Sequence, residues 1–302
     1  MYRDFEQIVA AAGKSGRRRV AVLFPDDPEV MRSIADATVR GWIAPVLVGG
    51  RSRLEAAARQ AGLSPGDMEI LEQADPQKGA DLCLDMVADG SVSFVVKGKI
   101  LTSYLYRSLI RFARRTDPGG IPCTVCFHLV PGLRRIFAVT DPGVNIRPDL
   151  PVREKILLNG VDVLRRLGCP RPRVMVLSYP RRDGSSAAVS DDAAKLRSRA
   201  LEGRFGPCEV LKECSPSELF PGRTVETERF PDLFLVPHIE AGNILAKTVD
   251  HLLLGVRQCL TVGAGIFLLT PSRSDGYETR MTNLALGILL SGPGGEGRPH
   301  GD

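Results

Sequence analysis

The stretch SFVVKGKILTSYLYR, residues Ser93–Arg107, passes from a short apolar run through a polar turn into a helical pattern. Successive apolar residues in such a run are typical of a strand that is covered on both faces of a sheet. Lys97 and Gly98 end the run, and Thr102 begins the helical pattern. The segment therefore predicts a strand, a loop and a helix, with polar residues in the position where open α/β sheets bind ligands.

The same alternation continues along the 302 residues. It favours an α/β fold with a mostly parallel sheet and right-handed crossovers. The predicted strands are Val20–Phe24, Pro45–Gly49, Ser93–Lys97, Cys123–Val130, Ile136–Thr140, Arg173–Ser178, Pro231–Val236 and Leu260–Thr270. The predicted helices are Pro28–Arg40, Arg51–Ala61, Pro76–Ala88, Thr102–Arg115, Val152–Leu167, Asp191–Glu202, Ala241–Val256 and Tyr277–Leu290.

The composition excludes several classes of protein. With 43% hydrophobic and 25% charged residues, the chain is neither disordered nor fibrous. No apolar run reaches the roughly 18 residues that cross a bilayer, and the N-terminus lacks a secretory signal. We therefore expect no membrane partner and a cytoplasmic location. A net charge of +5, with 6% aromatic residues and no interleaving of basic and aromatic residues, gives no support for a nucleic-acid partner.

Two short motifs suggest chemistry that the surrounding sequence does not support. Cys123 and Cys126 form a CxxC inside an apolar run that predicts a strand, and the four histidines show no ligand spacing. A structural zinc site needs a second pair of ligands, so we expect no metal. Gly13-Lys14-Ser15 precedes a strand and has Ile8 where a P-loop needs its first glycine.

Polar residues follow two of the predicted strands and can be interpreted in two ways. Lys97 and the N-terminus of the next helix, which carries Arg107, would favour an anion. An ordinary strand–loop–helix with Thr102 as the N-cap explains the same residues. Asp141 and Asn145 flank a Pro-Gly turn after another strand, and both residue types are common in turns that bind nothing.

A third polar loop follows the strand that ends at Val236. Glu240, Gly242 and Asn243 lead there into a helix that bears Lys247. Gly242 would permit a close approach of the backbone to a ligand, and the Asn243 amide can donate to a phosphate or a carbonyl. Helix capping alone also explains these residues.

The fourth loop follows the longest apolar run and combines Ser272, Arg273, Asp275 and Glu278. A hydroxyl, a guanidinium and two carboxylates within seven residues are a plausible catalytic cluster. Arginine binds phosphate oxygens through two parallel charge-assisted hydrogen bonds. A capped helix start with a local ion pair is the alternative interpretation.

Taken together and in this order, the four segments resemble the phosphate acetyl/butyryltransferase (phosphotransacylase) family, the butyryl-type branch in particular. The similarity runs from about Phe5 to Leu290. Its motifs are KGxxxT at Lys97–Thr102, TDxxxNxxPDL at Thr140–Leu150, VPxIEAGNxLxK at Val236–Lys247 and SRxDxxETxxxNxAL at Ser272–Leu286.

The resemblance implies two three-layer α/β/α domains with an interdomain cleft, as in the isocitrate/isopropylmalate dehydrogenase-like proteins. It also implies a homodimer that transfers a short acyl group, of butyryl or acetyl type, between coenzyme A (CoA) and inorganic phosphate, with no metal and no bound cofactor. The implied first domain comprises residues 1–148 and 271–302, and the second comprises residues 149–270. Residues 291–302 are expected to form a flexible tail.

The resemblance further implies direct transfer in a ternary complex, with Arg107 and Arg273 facing the phosphate and Ser272 donating to the reacting centre. Asp275 or Glu278 would be the general base, because Thr279 stands where acetyl-type members carry an aspartate. The implied substrate-binding residues are Lys97, Gly98, Thr102, Asp141, Asn145, Glu240, Gly242, Asn243, Lys247 and Glu278.

Three loops depart from the family pattern. Pro122-Cys123 replaces a Ser-His pair, Glu213-Cys214-Ser215-Pro216 replaces Asp-Gly-Pro-Leu, and His238 replaces an aspartate. The alternative hypothesis is therefore a catalytically altered or inactive paralogue that binds a CoA-like or acyl-phosphate-like ligand. A dehydrogenase of related fold is disfavoured, because the sequence has no aspartate cluster with metal-ligand spacing.

Overall fold

The computed structural model describes residues 2–178, 188–212 and 230–292. Within these ranges the strands in chain order are β1 (Arg18–Leu23), β2 (Ile43–Gly49), β3 (Glu69–Glu72), β4 (Phe94–Lys97), β5 (Cys123–Leu129), β6 (Phe137–Thr140), β7 (Arg173–Val176), β8 (Glu209–Val210), β9 (Leu233–Leu235), β10 (Val256–Gly263) and β11 (Ile266–Leu269). The described helices are α1 (Phe5–Ala12), α2 (Pro28–Val39), α3 (Arg51–Gln60), α4 (Pro76–Ala88), α5 (Thr102–Thr116), α6 (Leu150–Arg166), α7 (Ala188–Leu201), α8 (Ile239–His251) and α9 (Tyr277–Leu290), with a short 3-10 helix at Pro65–Asp67.

The chain divides into two compact units, which we call the N-terminal unit and the middle unit. The N-terminal unit comprises Glu6–Gly120 and Cys259–Asp302, and the middle unit comprises Met1–Phe5 and Ile121–Gln258. These limits differ from the predicted domain limits at 148 and 271. The reason is strand pairing: β5 pairs with β6, and β6 pairs with β9, so both strands belong to the middle unit.

In the N-terminal unit, the parallel strands lie in the order β3-β2-β1-β4-β11. Their apolar sequences fit this position, because parallel strands are covered by helices on both faces. β4 is buried along its whole length, including Lys97 at its end. The chain order reverses between β1 and β4, and such a reversal is where open α/β sheets bind ligands.

The middle unit has the strand order β5-β6-β9-β7-β8. β5 and β6 are antiparallel, whereas the other neighbouring pairs are parallel. Its core includes Phe137, Phe230 and Phe234, whose rings meet edge to face with centroids 5.2–5.7 Å apart. α8 packs on β5 and β6. The polar loop before this helix follows β9 directly and therefore lies at the carboxyl end of that strand.

The prediction of one long strand at Leu260–Thr270 is wrong, because these residues form two strands of a β-hairpin. β10 and β11 pair antiparallel, with Gly263 opposite Ile266. The two residues of the turn, Ala264 and Gly265, have φ of 53° and 75°. A turn with two left-handed residues matches the twist of a hairpin, and alanine at its first position hides this turn within an apolar run.

Several predictions fall on residues outside the described ranges. The Glu213–Pro216 departure and residues 293–302 of the predicted tail are among them. No described helix is both long enough and apolar enough to cross a membrane.

Candidate functional site

Two of the predicted site loops meet at one edge of the N-terminal unit. β4 and β11 are parallel neighbours, with Leu269 opposite Val96. Because both strands end at the same edge, Lys97 and the loop that contains Ser272 emerge next to each other. This confirms the sequence-based expectation that these two segments follow strands, and the sheet order makes them neighbours.

The Ser272 loop is held in shape by hydrogen bonds within the unit. The Asp275 carboxylate accepts a hydrogen bond of 2.7 Å from the backbone N–H of Ser272. The Ser272 hydroxyl lies 3.0 Å from the Ser274 hydroxyl. Ser272 is half-buried and Arg273 is exposed, so both side chains reach the surface of the unit.

Arg280, which is not among the predicted site residues, holds this loop in place from the helix that follows it. Its guanidinium donates to the Asp275 carbonyl oxygen at 2.9 Å and to the Ser272 carbonyl oxygen at 3.1 Å. Arg280 is only 4% exposed, and burial lowers its pKa below the ordinary value. The helical spacing of the sequence could have indicated that Arg280 is buried. It lies next to Met281 and one turn before Leu284, and both of these face the core.

Lys97 is a buried cation whose ammonium group has one hydrogen-bond acceptor among the described residues. Its side chain is 1% exposed, and its ammonium group donates to the Gly98 carbonyl oxygen at 3.2 Å. The pKa of Lys97 is lowered to about 8, chiefly by burial; the nearby Arg280 and Arg273 contribute to this lowering, and Asp275 opposes it. The cluster of three basic groups and one carboxylate would be stabilised by an anion.

The helix ends at this edge are also suited to an anion. The N-caps of α5 and α9 are Leu101 and Gly276, and neither supplies a side-chain hydrogen bond to its helix. Thr102 is the first helical residue of α5, so the alternative that it is the N-cap is wrong. Uncapped helix N-termini present backbone N–H groups and positive partial charge.

Two of the other predicted residues lie on the exposed faces of their helices. The Arg107 guanidinium donates to the Ser103 carbonyl oxygen at 3.3 Å and stands 5.0 Å from the centre of the Tyr104 ring. Glu278 is exposed in the first turn of α9. Both side chains are therefore accessible, and the structure gives Arg107 contacts within its own helix.

Gly98 is required by a close approach of two loops. A Cβ atom at Gly98 would lie 2.0 Å from the Phe24 carbonyl oxygen, and the Gly98 N–H donates to the Leu23 carbonyl oxygen at 2.7 Å. This brings the loop after β1 beside the loop after β4, where Lys99 pairs with Asp27. The β1 loop was not predicted from the sequence to lie at this edge.

In the middle unit, Asp141 and Asn145 hold their own turn. The Asp141 carboxylate is 3% exposed and accepts from the backbone N–H groups of Thr124, Gly143, Val144 and Asn145. It also accepts from the Asn145 amide, which donates to the Pro122 carbonyl oxygen at 2.8 Å. Burial raises the pKa of Asp141, and the donated hydrogen bonds oppose that rise. These contacts favour the interpretation as turn residues, and a role toward substrate stays a prediction.

Gly242 lies in α8 against the same turn. A Cβ atom there would lie 2.8 Å from the Val236 side chain and 2.9 Å from the Cα atom of Pro142, so packing requires the glycine. His238 is the N-cap of α8, and its Nδ1 accepts from the Ala241 N–H at 3.3 Å. The predicted binding residues Glu240, Asn243 and Lys247 are exposed on this helix.

Cys123 belongs to the Pro122-Cys123 pair, which stands where the family pattern has Ser-His, and it lies inside the middle unit. The residue is fully buried, and burial raises the pKa of its thiol far above the ordinary value. The Asn159 amide lies 3.5 Å from its sulfur. A thiol in this state is not a nucleophile.

Comparisons with known proteins show what the whole chain is similar to. No protein-family model matches the chain. Phosphate butyryltransferase of Clostridium acetobutylicum is 25% identical over 299 residues, which cover 97% of this chain and 99% of that protein. Phosphate acetyltransferase of Rhizobium meliloti is 25% identical over 294 residues, which cover 95% and 93%.

Among solved structures, a phosphotransacetylase from Streptococcus pyogenes superposes with a TM-score of 0.77 at 14% identity, covering 95% of this chain and 99% of that chain. The predicted α/β fold class and the predicted resemblance to the phosphotransacylases are confirmed. Both sequence relatives are named as transferases, which confirms the expectation of an enzyme of this type.

Proposed function

We propose that this chain moves a short acyl group, of butyryl or acetyl type, between CoA and inorganic phosphate. The observation that carries the proposal is the buried Lys97 ammonium, which has a carbonyl acceptor at 3.2 Å and lies near Arg273 and Arg280. A buried cation is costly unless it is paired with an anion. An inorganic phosphate or the phosphate of an acyl phosphate would provide that anion.

The phosphate would contact groups from two loops and two helix ends. Lys97 approaches from the end of β4, and Arg273 comes from the loop after β11. The N-termini of α5 and α9 add backbone N–H groups, which favour phosphate. Arg273 is exposed, so it can rotate onto the phosphate oxygens in a two-point contact.

We propose direct acyl transfer without an acyl-enzyme. The sulfur of CoA attacks the carbonyl carbon of the acyl phosphate and forms the C–S bond. The bond from that carbon to the phosphate oxygen then breaks, and phosphate leaves with the electron pair. Ser272 donates a hydrogen bond to the oxyanion, while Arg273 stabilises the charge that develops on the phosphate. The reverse reaction follows the same steps in the opposite order.

The thiol proton needs a carboxylate acceptor, for which we propose Asp275. This residue lies in the same loop as Ser272 and already accepts a hydrogen bond from the Ser272 N–H. Glu278 is the alternative base, in the first turn of α9. A general base of this kind contributes about 10²–10⁴-fold to a rate.

The second candidate function is a paralogue that binds the ligand but does not turn it over. The buried Cys123 favours it, because no hydroxyl or imidazole stands at this position of the family pattern. In that case CoA would still bind and raise the melting temperature.

We further propose a homodimer and a cytoplasmic location, where CoA is available. An exposed apolar surface on the middle unit supports the dimer. Ile244 is 67% exposed, Leu252 is 75% exposed and Leu254 is 73% exposed. Clustered exposed apolar residues mark interaction sites. Sedimentation of the wild-type chain and of a Leu252→Asp variant tests this surface, and equal dimerisation of both would reject it.

The proposed reaction is tested by thiol release from butyryl-CoA and acetyl-CoA, with and without inorganic phosphate. We expect thiol release that depends on phosphate. Folded protein that shows no turnover, together with a higher melting temperature in CoA, would favour the paralogue. Absence of both effects would reject both functions.

A further inference from the structure

A pocket of about 240 Å³ lies in the N-terminal unit, and no residue to which the proposed reaction gives a role lines it. Phe24, Gly50 and Glu72 place it at the carboxyl ends of β1, β2 and β3. Its other polar lining residues include Arg51 and Arg53. The volume is below that of pockets that enclose a drug-sized ligand, so it suits one end of a larger molecule.

The two arginines that line the pocket make only long ion pairs with the described residues. Arg51 lies 3.9 Å from Glu55 and 3.8 Å from Glu72, and Arg53 lies 3.8 Å from Asp26. These distances exceed those of hydrogen bonds, and exposed ion pairs contribute little to stability. The guanidinium groups therefore retain the capacity for two-point hydrogen bonding to a phosphate, which is a stronger contact.

The third feature of the pocket is the N-terminus of α3. Its N-cap is Gly50, which has no side chain to satisfy the first N–H groups. Ser52 adds a hydroxyl to the lining. Two guanidinium groups, a hydroxyl and an uncapped helix of 10 residues thus surround one pocket.

We propose that this pocket binds a phosphate monoester through Arg51, Arg53 and the N-terminus of α3. We assign the phosphate to the 3′-phosphate of CoA, an assignment that rests on the proposed function. β2 and β11 are separated by β1 and β4, which gives three strand spacings, or about 14 Å. An extended pantetheine arm of CoA is long enough to bridge this separation between the two strands.

Binding of adenosine 3′,5′-bisphosphate, measured by calorimetry, tests the site without any turnover. The double variant Arg51→Gln/Arg53→Gln should bind this probe about ten- to hundredfold more weakly than the wild type. The control is Arg59→Gln, which removes an exposed arginine of the same helix that does not line the pocket. It should bind the probe like the wild type. Equal binding by the double variant and the wild type, or no binding by either, would overturn the site.

Dephospho-CoA and inorganic phosphate distinguish the sources of the phosphate. The wild type should bind CoA more tightly than dephospho-CoA, and the double variant should bind the two equally. Competition of inorganic phosphate for the bisphosphate, with equal wild-type affinity for CoA and dephospho-CoA, would overturn the assignment to CoA. A wild type that binds the bisphosphate but never turns over acyl-CoA would contradict the proposed reaction and leave this site in place.

Discussion

The Arg280 guanidinium donates a hydrogen bond of 3.1 Å to the Ser272 carbonyl oxygen, and so ties helix α9 to the loop that presents the candidate catalytic hydroxyl. The same guanidinium donates a second hydrogen bond to the Asp275 carbonyl oxygen, so Arg280 holds the loop at two points. In the proposed reaction, Arg280 would act through the position of the loop, while Ser272 and Arg273 would contact the substrates.

Replacement of Arg280 by Met should therefore lower kcat about 10²-fold, because small displacements of reacting groups cost that much. Arg280→Lys should restore part of the lost kcat, since an ammonium can still reach a carbonyl oxygen. The affinity for CoA should change little. Steady-state kinetics with butyryl-CoA check this, with circular dichroism to show folding and Thr282→Ala as a control in the same helix. Full activity of Arg280→Met would contradict the positioning role.

Removal of the Arg273 guanidinium should affect catalysis and leave stability unchanged. Arg273 is exposed, so Arg273→Gln should keep the melting temperature of the wild type. Its kcat/KM should fall about 10²–10³-fold, the usual cost of losing a group that stabilises charge in the transition state. The control is Arg111→Gln, which removes an exposed arginine that pairs with Asp81. A similar loss of activity in both variants would count against a specific role for Arg273.

We expect Lys97 to lower the free energy of unfolding and to contribute to the binding of phosphate. Its pKa is about 8 in the folded chain against an ordinary value of 10.5. Between these values the unfolded chain binds more protons, so stability rises with pH. The buried charge therefore lowers the free energy of unfolding by its full amount below about pH 8, and this effect disappears toward pH 10.5. Lys97→Met should raise the melting temperature at pH 7 and abolish activity.

Two measurements check the Lys97 prediction. The difference in melting temperature between Lys97→Met and the wild type should shrink as the pH rises from 7 to 10. Inorganic phosphate should raise the melting temperature of the wild type and leave that of the variant unchanged. A variant that is less stable at pH 7, or that responds to phosphate like the wild type, would show that Lys97 is a structural residue.

We expect the Asp141 carboxylate to contribute more to the free energy of unfolding than the Asp149 carboxylate does. Its buried carboxylate accepts hydrogen bonds from four backbone N–H groups, and an amide in its place would turn an NH₂ group toward some of these donors. We expect Asp141→Asn to lower the free energy of unfolding by about 2–4 kcal/mol in urea denaturation. Asp149→Asn is the control, because asparagine is an equally good N-cap for α6. Equal stability of the two variants would refute the assignment.

The sequence predicted most elements because their patterns were local. Apolar runs such as Phe94–Lys97 and capped helix starts such as Asp27 before Pro28 need no tertiary information. The hairpin within Leu260–Thr270 was missed because its turn contains Ala264, which is unusual in a left-handed conformation.

The candidate site was predicted less completely, for a physical reason. Lys97 ends a strand, and Ser272, Arg273 and Asp275 follow one; these positions can be inferred from the chain. Arg280 lies within α9 and contacts a loop outside that helix. The local sequence around a buried charged residue does not indicate which carbonyl oxygens its side chain will contact. Asp141 was open to either interpretation, since a turn and a binding site use the same residue type.

The most direct test follows the phosphorus NMR spectrum of wild-type protein mixed with butyryl-CoA and inorganic phosphate. The account predicts a new acyl-phosphate signal that grows in step with free thiol and stops growing when CoA is added in excess. Thiol release without any acyl phosphate, or no change at all in protein shown to be folded, would contradict acyl transfer at the Ser272–Arg273 loop.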